Sequence, residues 1–252
     1  MLLLLDIGNT NTHLGLAGSR RVIKQANIPT AAWFKGRSKP LLIKFVGQAQ
    51  LEGAALCSVV PPATPLATRT VNKLWHLSSL VLSPKTLRGV GIDYPKPATI
   101  GPDRLANAVA VHHHFGAPSV VVDFGTAVTF DVVNRAGNYA GGIIAPGLAA
   151  MTEYLHEKTA LLPKIKVRET AGAIGKTTEQ AMVIGAVHGY RGLIHALLLE
   201  LKRALKARRL PVVATGGYAQ LLSSKLPGIT SVQPLLTLEG LRLVWQAHHP
   251  KA

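Results

Sequence analysis

The chain carries a single cysteine, Cys57, among 252 residues. One thiol excludes an internal disulfide framework and suits a reducing cytoplasm. Set in the apolar stretch Ala54 to Val60, it reads as a small buried hydrophobe rather than a nucleophile. Acidic residues are scarce as well: 12 Asp and Glu stand against 28 Lys and Arg, giving +16 and a pI near 10.3. Such an excess raises nucleic acid as a partner, yet aromatics make up only 5% of the chain. Arg20, Arg21, Lys35, Lys39, Lys85, Lys164, Lys166, Arg208 and Arg209 lie in separate places, with no basic run interleaved with aromatics. The pattern describes a solvated, anion-friendly surface and argues against nucleic acid. Long apolar runs are missing too. Asp6, Asp123 and Asp131 interrupt the best candidates before the roughly 18 residues a membrane-spanning helix needs, so no membrane partner is expected. Met1 to Leu5 has no basic leader and stops at Asp6, short of the roughly 7 to 15 residues of a signal-peptide core. It reads as a first strand.

What is present is a repeated device. Leu2 to Asp6 is an apolar run ending in Asp6-Ile-Gly-Asn-Thr10, and Leu14 to Ala17 returns from it. Ser119 to Asp123 repeats the pattern, with Phe124-Gly125-Thr126 as its turn and Val128 to Val133 as its return. The two aspartates are 123 − 6 = 117 residues apart, close to half the chain, which predicts two divergent copies of one unit. A strand is expected over Ala54 to Val60, stopped by Pro61-Pro62, then a helix over Ala63 to His76 and a short strand at Leu80 to Leu82. The proline-rich loop Gly89 to Gly101 leads to a helix from about Asp103 to Phe115. In the second half, Ala181 to Ala207 reads as a long helix, Pro211 to Thr215 as a strand and Leu241 to His248 as a closing helix. Strands alternating with helices imply an α/β fold. The division expected is an N-terminal lobe over 1–117 and a C-terminal lobe over 118–252.

A strand-end aspartate followed by glycine and threonine suits phosphate and metal. Glycine lets backbone amides approach phosphate oxygens, the hydroxyl adds a donor, and the carboxylate can hold Mg²⁺ directly or through water. Asp6, Gly8, Asn9 and Thr10 form one such turn; Asp123, Gly125 and Thr126 form the other. Gly172-Ala-Ile-Gly-Lys-Thr177 imitates a P-loop, but two residues separate its first glycine from Gly175-Lys176 where four are required. Thr177 or Thr178 is expected to cap a helix instead. Gly101-Pro102-Asp103-Arg104 opens a helix, and an adjacent acid and guanidinium suit deprotonation of an alcohol beside an anion; an N-cap aspartate beside a solvated arginine is the structural alternative. Gly141-Gly142 to Pro146-Gly147 reads as a tight turn. The runs His112 to His114 and His248-His249 have no Cys or acidic neighbours at ligand spacing and are not expected to hold a metal.

Five separated signatures, Asp6 to Thr10, Tyr94-Pro95 with Gly101 to Arg104, Asp123 to Ala127, Gly141-Gly142 with Pro146-Gly147, and Thr215 to Gly217, occur in the order and spacing of type III pantothenate kinases. The chain resembles that family over nearly its whole length. The resemblance implies two ribonuclease H-like lobes of the actin-like ATPase fold with a cleft between them, and ATP-dependent phosphorylation of pantothenate, the first step of coenzyme A synthesis. It implies that Asp6, Ile7, Gly8, Asn9, Thr10, Asn11, Thr12 and His13 form a nucleotide turn, with Asp6 serving Mg²⁺ through the phosphates, and that Thr126 lies in a second phosphate turn. Tyr94, Gly101, Pro102, Asp103, Arg104 and Thr178 would meet pantothenate, with Asp103 as catalytic base. Asp123 would match a site for a monovalent cation, K⁺ or NH₄⁺, and Thr215 to Gly217 would lie beside adenosine. A cytoplasmic homodimer with dimerisation helices in the second lobe is implied as well. The sequence departs from the family's pattern at Pro102 and at Thr177. Another small-molecule kinase or phosphatase of the same superfamily, or a regulator retaining the fold, are the alternatives.

Overall fold

A computed structural model describes residues 1–250. Contacts divide the chain into two compact units, one built from Met1–Gly116, Gly137–Ala140 and the segment from Leu235 onward, the other from Ala117–Ala136 and Gly141–Pro234.

The first unit opens with strands β1 (Leu2–Ile7), β2 (Asn11–Ala17) and β3 (Val22–Pro29). Helices α1 (Ala31–Phe34) and α2 (Ser38–Val46) follow, then β4 (Gly53–Ser58), α3 (Thr64–Trp75), β5 (Ser79–Val81), β6 (Gly91–Ile92) and α4 (Pro102–Phe115). Its sheet has the order β3-β2-β1-β4-β5, antiparallel from β1 through β3 and parallel from β1 through β5. An unbroken run of four leucines makes β1, as a strand covered on both faces requires, and all four are buried. Leu3, Leu5, Leu14, Leu42, Leu56 and Val71 share one core.

The second unit starts with β7 (Ser119–Phe124), β8 (Ala127–Val133) and β9 (Asn138–Pro146), then α5 (Leu148–Lys158), α6 (Thr178–Ile184) and α7 (Tyr190–Ala204). It closes with β10 (Val212–Thr215), α8 (Ala219–Ser223) and β11 (Ser231–Val232). Strand order here is β9-β8-β7-β10-β11, with β7 antiparallel to β8 and parallel to β10. That is the topology of the first unit strand for strand. The burial patterns repeat as well: β1 and β7 share one pattern, and β2 and β8 share another. Duplication is thus visible in the fold, with one residue fewer in the second turn. The first residues of β9 are counted with the first unit, where Asn138 and Tyr139 pair in parallel with Gly91 and Ile92 of β6.

Three expectations change. The glycines of Gly141-Gly142 are not a tight turn but lie inside β9, both at positive φ, where a strand can bend. The long second-half helix runs from Thr178 to Ala204, earlier at both ends than expected, and passes through a π-helical stretch at Gly185–Gly189. It has the length and apolarity of a membrane-crossing helix, but Tyr190, Ile194 and Leu198 bury one face in the second unit's core and Glu200, Lys202 and Arg203 end it, so it reads as a core helix. Finally, helix α9 (Leu236–His248) falls on the other side of the division at residue 118: it packs on α4, β1 and β4 of the first unit. Gly240 makes this possible, because a Cβ there would overlap the Ala106 carbonyl. Glu239 and Arg242 of α9 pair at 2.6 Å, Glu239 accepts from the Val22 amide, and Arg242 donates to the Ser19 carbonyl, pinning the helix to the β2–β3 hairpin.

In the second unit, the irregular segment 159–177 is tied down by Glu169. Arg191 holds its carboxylate through two hydrogen bonds of 3.1 and 2.7 Å, and Arg191 with Lys225 draws the Glu169 pKa down to about 2.

Candidate active site

Within the first unit, Asp6 stands one residue before the end of β1, in register with His13 of β2 and Cys57 of β4. The His13 Nδ1 lies 4.0 Å from Asp6 Oδ2, and the Cys57 Sγ lies 3.3 Å from Asp6 Oδ1. Burial pushes the His13 imidazole below its usual pKa. The turn after Asp6 is closed by the Gly8 amide donating to the Asn11 carbonyl at 3.0 Å. A relay braces it from below: the Trp33 indole donates to the Thr12 hydroxyl, Thr12 and Thr30 hydroxyls meet at 3.1 Å, and Thr30 donates to the Gly8 carbonyl at 2.6 Å. Ile7 and Thr12 are therefore buried parts of the fold, while Asn9, Thr10 and Asn11 form the exposed tip.

Helix α4 supplies Asp103 and Arg104 in its first turn. Pro102 sits at the first helical position, where the missing N–H costs nothing and its fixed φ favours the helix, so this departure from the family pattern has a structural reason. Asp103 Oδ1 accepts from the Arg104 amide at 2.8 Å. Burial raises the Asp103 pKa above the usual carboxylate value, outweighing the lowering by the Arg104 amide and charge. Gly101 is needed for this carboxylate: a Cβ there would lie 2.5 Å from Asp103 Oδ1. Arg104 lies over the Tyr139 ring at 5.7 Å, and Tyr94 meets the same ring edge-on at 6.1 Å. Sequence reasoning missed Tyr139; its only signal is an aromatic residue two places before Gly141, and its burial follows from pairing with β6.

In the second unit, Asp123 holds the place on β7 that Asp6 holds on β1, in register with Thr129 of β8 and Thr215 of β10. The Gly125 amide closes the turn onto the Ala127 carbonyl at 3.1 Å, leaving Thr126 exposed. Gly147 packs on the Gly125 and Thr126 carbonyls so closely that no Cβ fits. Gly216, at φ +90°, lies against the Asp123 carboxylate: a Cβ would stand 2.5 Å from its Oδ1. Thr215 is buried, so the Thr-Gly-Gly run packs beside Asp123 with only its glycines at the surface. Thr177 caps α6, accepting from the Gln180 amide at 3.2 Å, and Thr178 is the exposed first residue of that helix.

The model for type III pantothenate kinase matches residues 2–200. The chain belongs to this family. A type III pantothenate kinase of Methylacidiphilum infernorum is 41% identical over 247 residues, covering 96% of this chain and 87% of the relative. Another from Akkermansia muciniphila is 43% identical over 241 residues, with 96% of each covered. Among solved structures, a Campylobacter jejuni protein described as a Baf family transcriptional activator aligns with TM-score 0.63 at 20% identity over 98% of both chains. The inorganic polyphosphate/ATP-glucomannokinase of Arthrobacter sp. strain KM aligns with TM-score 0.53 at 12% identity, covering 98% of this chain and 99% of its own. These likenesses bear on the fold, which is that of the actin-like sugar kinases.

Among the described residues no three His, Cys, Asp or Glu side chains gather as a metal cage. A Mg²⁺ bound through one carboxylate, phosphate oxygens and water needs none, and the partly exposed, hard oxygens of Asp6 fit that role. The Asp123 carboxylate, partly exposed and a hard oxygen donor, likewise fits a cation with oxygen ligands.

The Gly101 geometry yields a direct test. Its backbone, at φ −58° and ψ 129°, accepts alanine without strain, so the added methyl acts on the Asp103 carboxylate alone. Gly101→Ala is expected to lower kcat by about 10-fold to 100-fold with little change in Tm. An unchanged kcat would separate Asp103 from the chemistry.

Proposed function

We propose that this chain transfers the γ-phosphoryl group of ATP to the primary alcohol of pantothenate, giving 4'-phosphopantothenate in the cytoplasm. The family supports the reaction, and the observation that carries the site is Asp103, a half-buried carboxylate whose pKa is raised by desolvation, beside Arg104 at the start of α4. Asp103 takes the proton of the attacking hydroxyl as the new O–P bond forms and the bond from the γ-phosphorus to the β,γ-bridging oxygen breaks, ADP leaving; a raised pKa makes Asp103 the better acceptor. Arg104, steadied over Tyr139, faces an anionic group of the substrate, with Tyr94, Gly101 and Pro102 beside it. The exposed tip Asn9 to Asn11 offers amides and side chains to phosphate, as Thr126 does in the second unit. Mg²⁺ near Asp6, when bound, neutralises charge on the phosphate oxygens.

Asp123 is the proposed holder of K⁺ or NH₄⁺. A coupled assay should show ADP release that depends on pantothenate and falls when Na⁺ replaces K⁺ at matched ionic strength. ADP release with other alcohols but not pantothenate would reassign the substrate, and equal rates in the two salts would remove the cation role.

We further propose a homodimer formed through the second unit, with Thr178 near the join. On α5 of that unit Met151, Tyr154 and Leu155 fall on one face and are exposed, and Leu199 of α7 is exposed too. Light scattering at micromolar concentration should give twice the chain mass; a monomer alone would reject the arrangement.

Asp103→Asn keeps the shape and removes the base, so kcat should fall by roughly 10²-fold or more with nucleotide binding nearly unchanged. The folded pKa lies above the unfolded one, so the protonated form is favoured by folding. That preference is fully present below the unfolded pKa and is lost as pH rises through the folded value, above which the ionised group is a burden on the fold. Melting of Asp103→Asn at pH 7 should therefore be no earlier than wild type. Asp6→Asn should instead weaken Mg²⁺-nucleotide binding; near-normal kcat in Asp103→Asn would place the base elsewhere.

A further inference from the structure

Parallel register between β1 and β4 sets Cys57 and Asp6 side by side on one face of the sheet. The thiol is fully buried, and its Sγ donates to Asp6 Oδ1 at 3.3 Å. From the other neighbouring strand, His13 approaches Asp6 Oδ2 at 4.0 Å, so the two carboxylate oxygens are met from opposite sides. The second unit repeats the layout: the residue in parallel register with Asp123 is Thr215, also small, buried and equipped with a hydrogen-bonding group. In both copies the residue in register with the carboxylate carries a side-chain hydrogen-bonding group.

We propose that Cys57 is a positioning residue for phosphoryl transfer: its S–H fixes the plane of the Asp6 carboxylate and so the direction from which Mg²⁺-nucleotide is met. The inference rests on the kinase reading above. Between a thiol and a carboxylate oxygen 3.3 Å apart, the S–H is the donor and the carboxylate the acceptor. Cys57 neither forms a covalent intermediate nor changes oxidation state.

Because Cys57 is the only cysteine, the S–H stretching band of the protein reports one bond. In the wild type it should lie below the free-thiol frequency and move toward it in Asp6→Ala. This measurement needs no substrate, so it is independent of the pantothenate assignment. Two substitutions add the functional arm: Cys57→Val fills the space without a donor, and Cys57→Ser restores one. Cys57→Val should raise the Mg²⁺ concentration for half-maximal velocity about tenfold, as loss of a hydrogen bond to a charged group implies, and shrink the Tm increase given by Mg²⁺ with ADP. The pantothenate KM should hold, and Cys57→Ser should recover most of the Mg²⁺ dependence. A wild-type band at the free-thiol frequency, unchanged Mg²⁺ dependence in Cys57→Val, or equal loss in Val and Ser variants of equal Tm would each overturn the proposal. Should both variants fail to fold, the wild-type band decides.

Discussion

Each unit is organised around a central strand that is sealed in the core for four residues and carries a carboxylate on its fifth. A carboxylate buried without partners is strongly disfavoured, so the place where a strand leaves the core suits it better than the strand's sealed middle. Asp6 and Asp123 sit there, half-covered, at the carboxyl ends of β1 and β7. Those ends are where parallel neighbours stop too: β4 ends at Ser58 and β10 at Thr215. The antiparallel return strands, β2 and β8, demand a turn immediately after the carboxylate, and the glycine two places on supplies it. An acid, a tight turn and small residues at one strand end follow from a single placement. This is how a sheet presents ligand-binding chemistry at its carboxyl edge.

Much of this was legible because it is periodic and local. The runs of β1, β7, β4 and β10, the helices α3 and α4, and the repeat spacing of 117 residues all correspond to elements within a few residues of their expected ends. Strand β3 and helices α2 and α5 carry weaker apolar patterns, since their exposed faces break the alternation. The glycine pair in β9 reads as a turn because its strand role depends on pairing, which no local signal encodes. The destination of α9 was hidden for a similar reason: the contact of Gly240 with the Ala106 backbone and the bonds of Glu239 and Arg242 to Val22 and Ser19, which join this helix to the first unit, are all distant in sequence. Among the candidate residues the sequence points to Asp6, Asp103 and Arg104 in the first unit and to Asp123 in the second. It cannot point to Tyr139 or to the bond from Cys57, which are tertiary neighbours of those residues rather than members of a motif.

The start of α4 shows how backbone chemistry sets up a reactive side chain. Gly101 leaves room, Pro102 fixes the first helical φ, and Asp103 then falls in the first turn, where an anion is favoured by the helix dipole. That favourable field opposes the burial that raises its pKa, and burial is the larger effect. The carboxylate is thereby poorly solvated in its ionised form. A group in that state binds a proton more readily than one in water, which is what a base for an alcohol requires.

The scarcity of acids then explains the unusual basicity. Of the 12 acidic residues, Asp6 and Asp123 stand near the ends of β1 and β7, Asp103 is in the first turn of α4, and Asp131 is buried in β8. Glu169 and Glu239 are taken up by the buried guanidinium groups of Arg191 and Arg242. Six acids remain for a surface carrying most of the 28 Lys and Arg residues, and of these Glu52 pairs the N-terminus, Glu179 pairs Arg168 and Glu200 pairs Arg203. The surface cations are thus left largely unopposed. Their field reaches about one Debye length, roughly 8 to 10 Å at physiological salt, far enough to favour the approach of anions without any specific groove. ATP and pantothenate are both anions. A basic surface with its acids reserved for the interior and the site is therefore consistent with the proposed chemistry without a nucleic-acid partner.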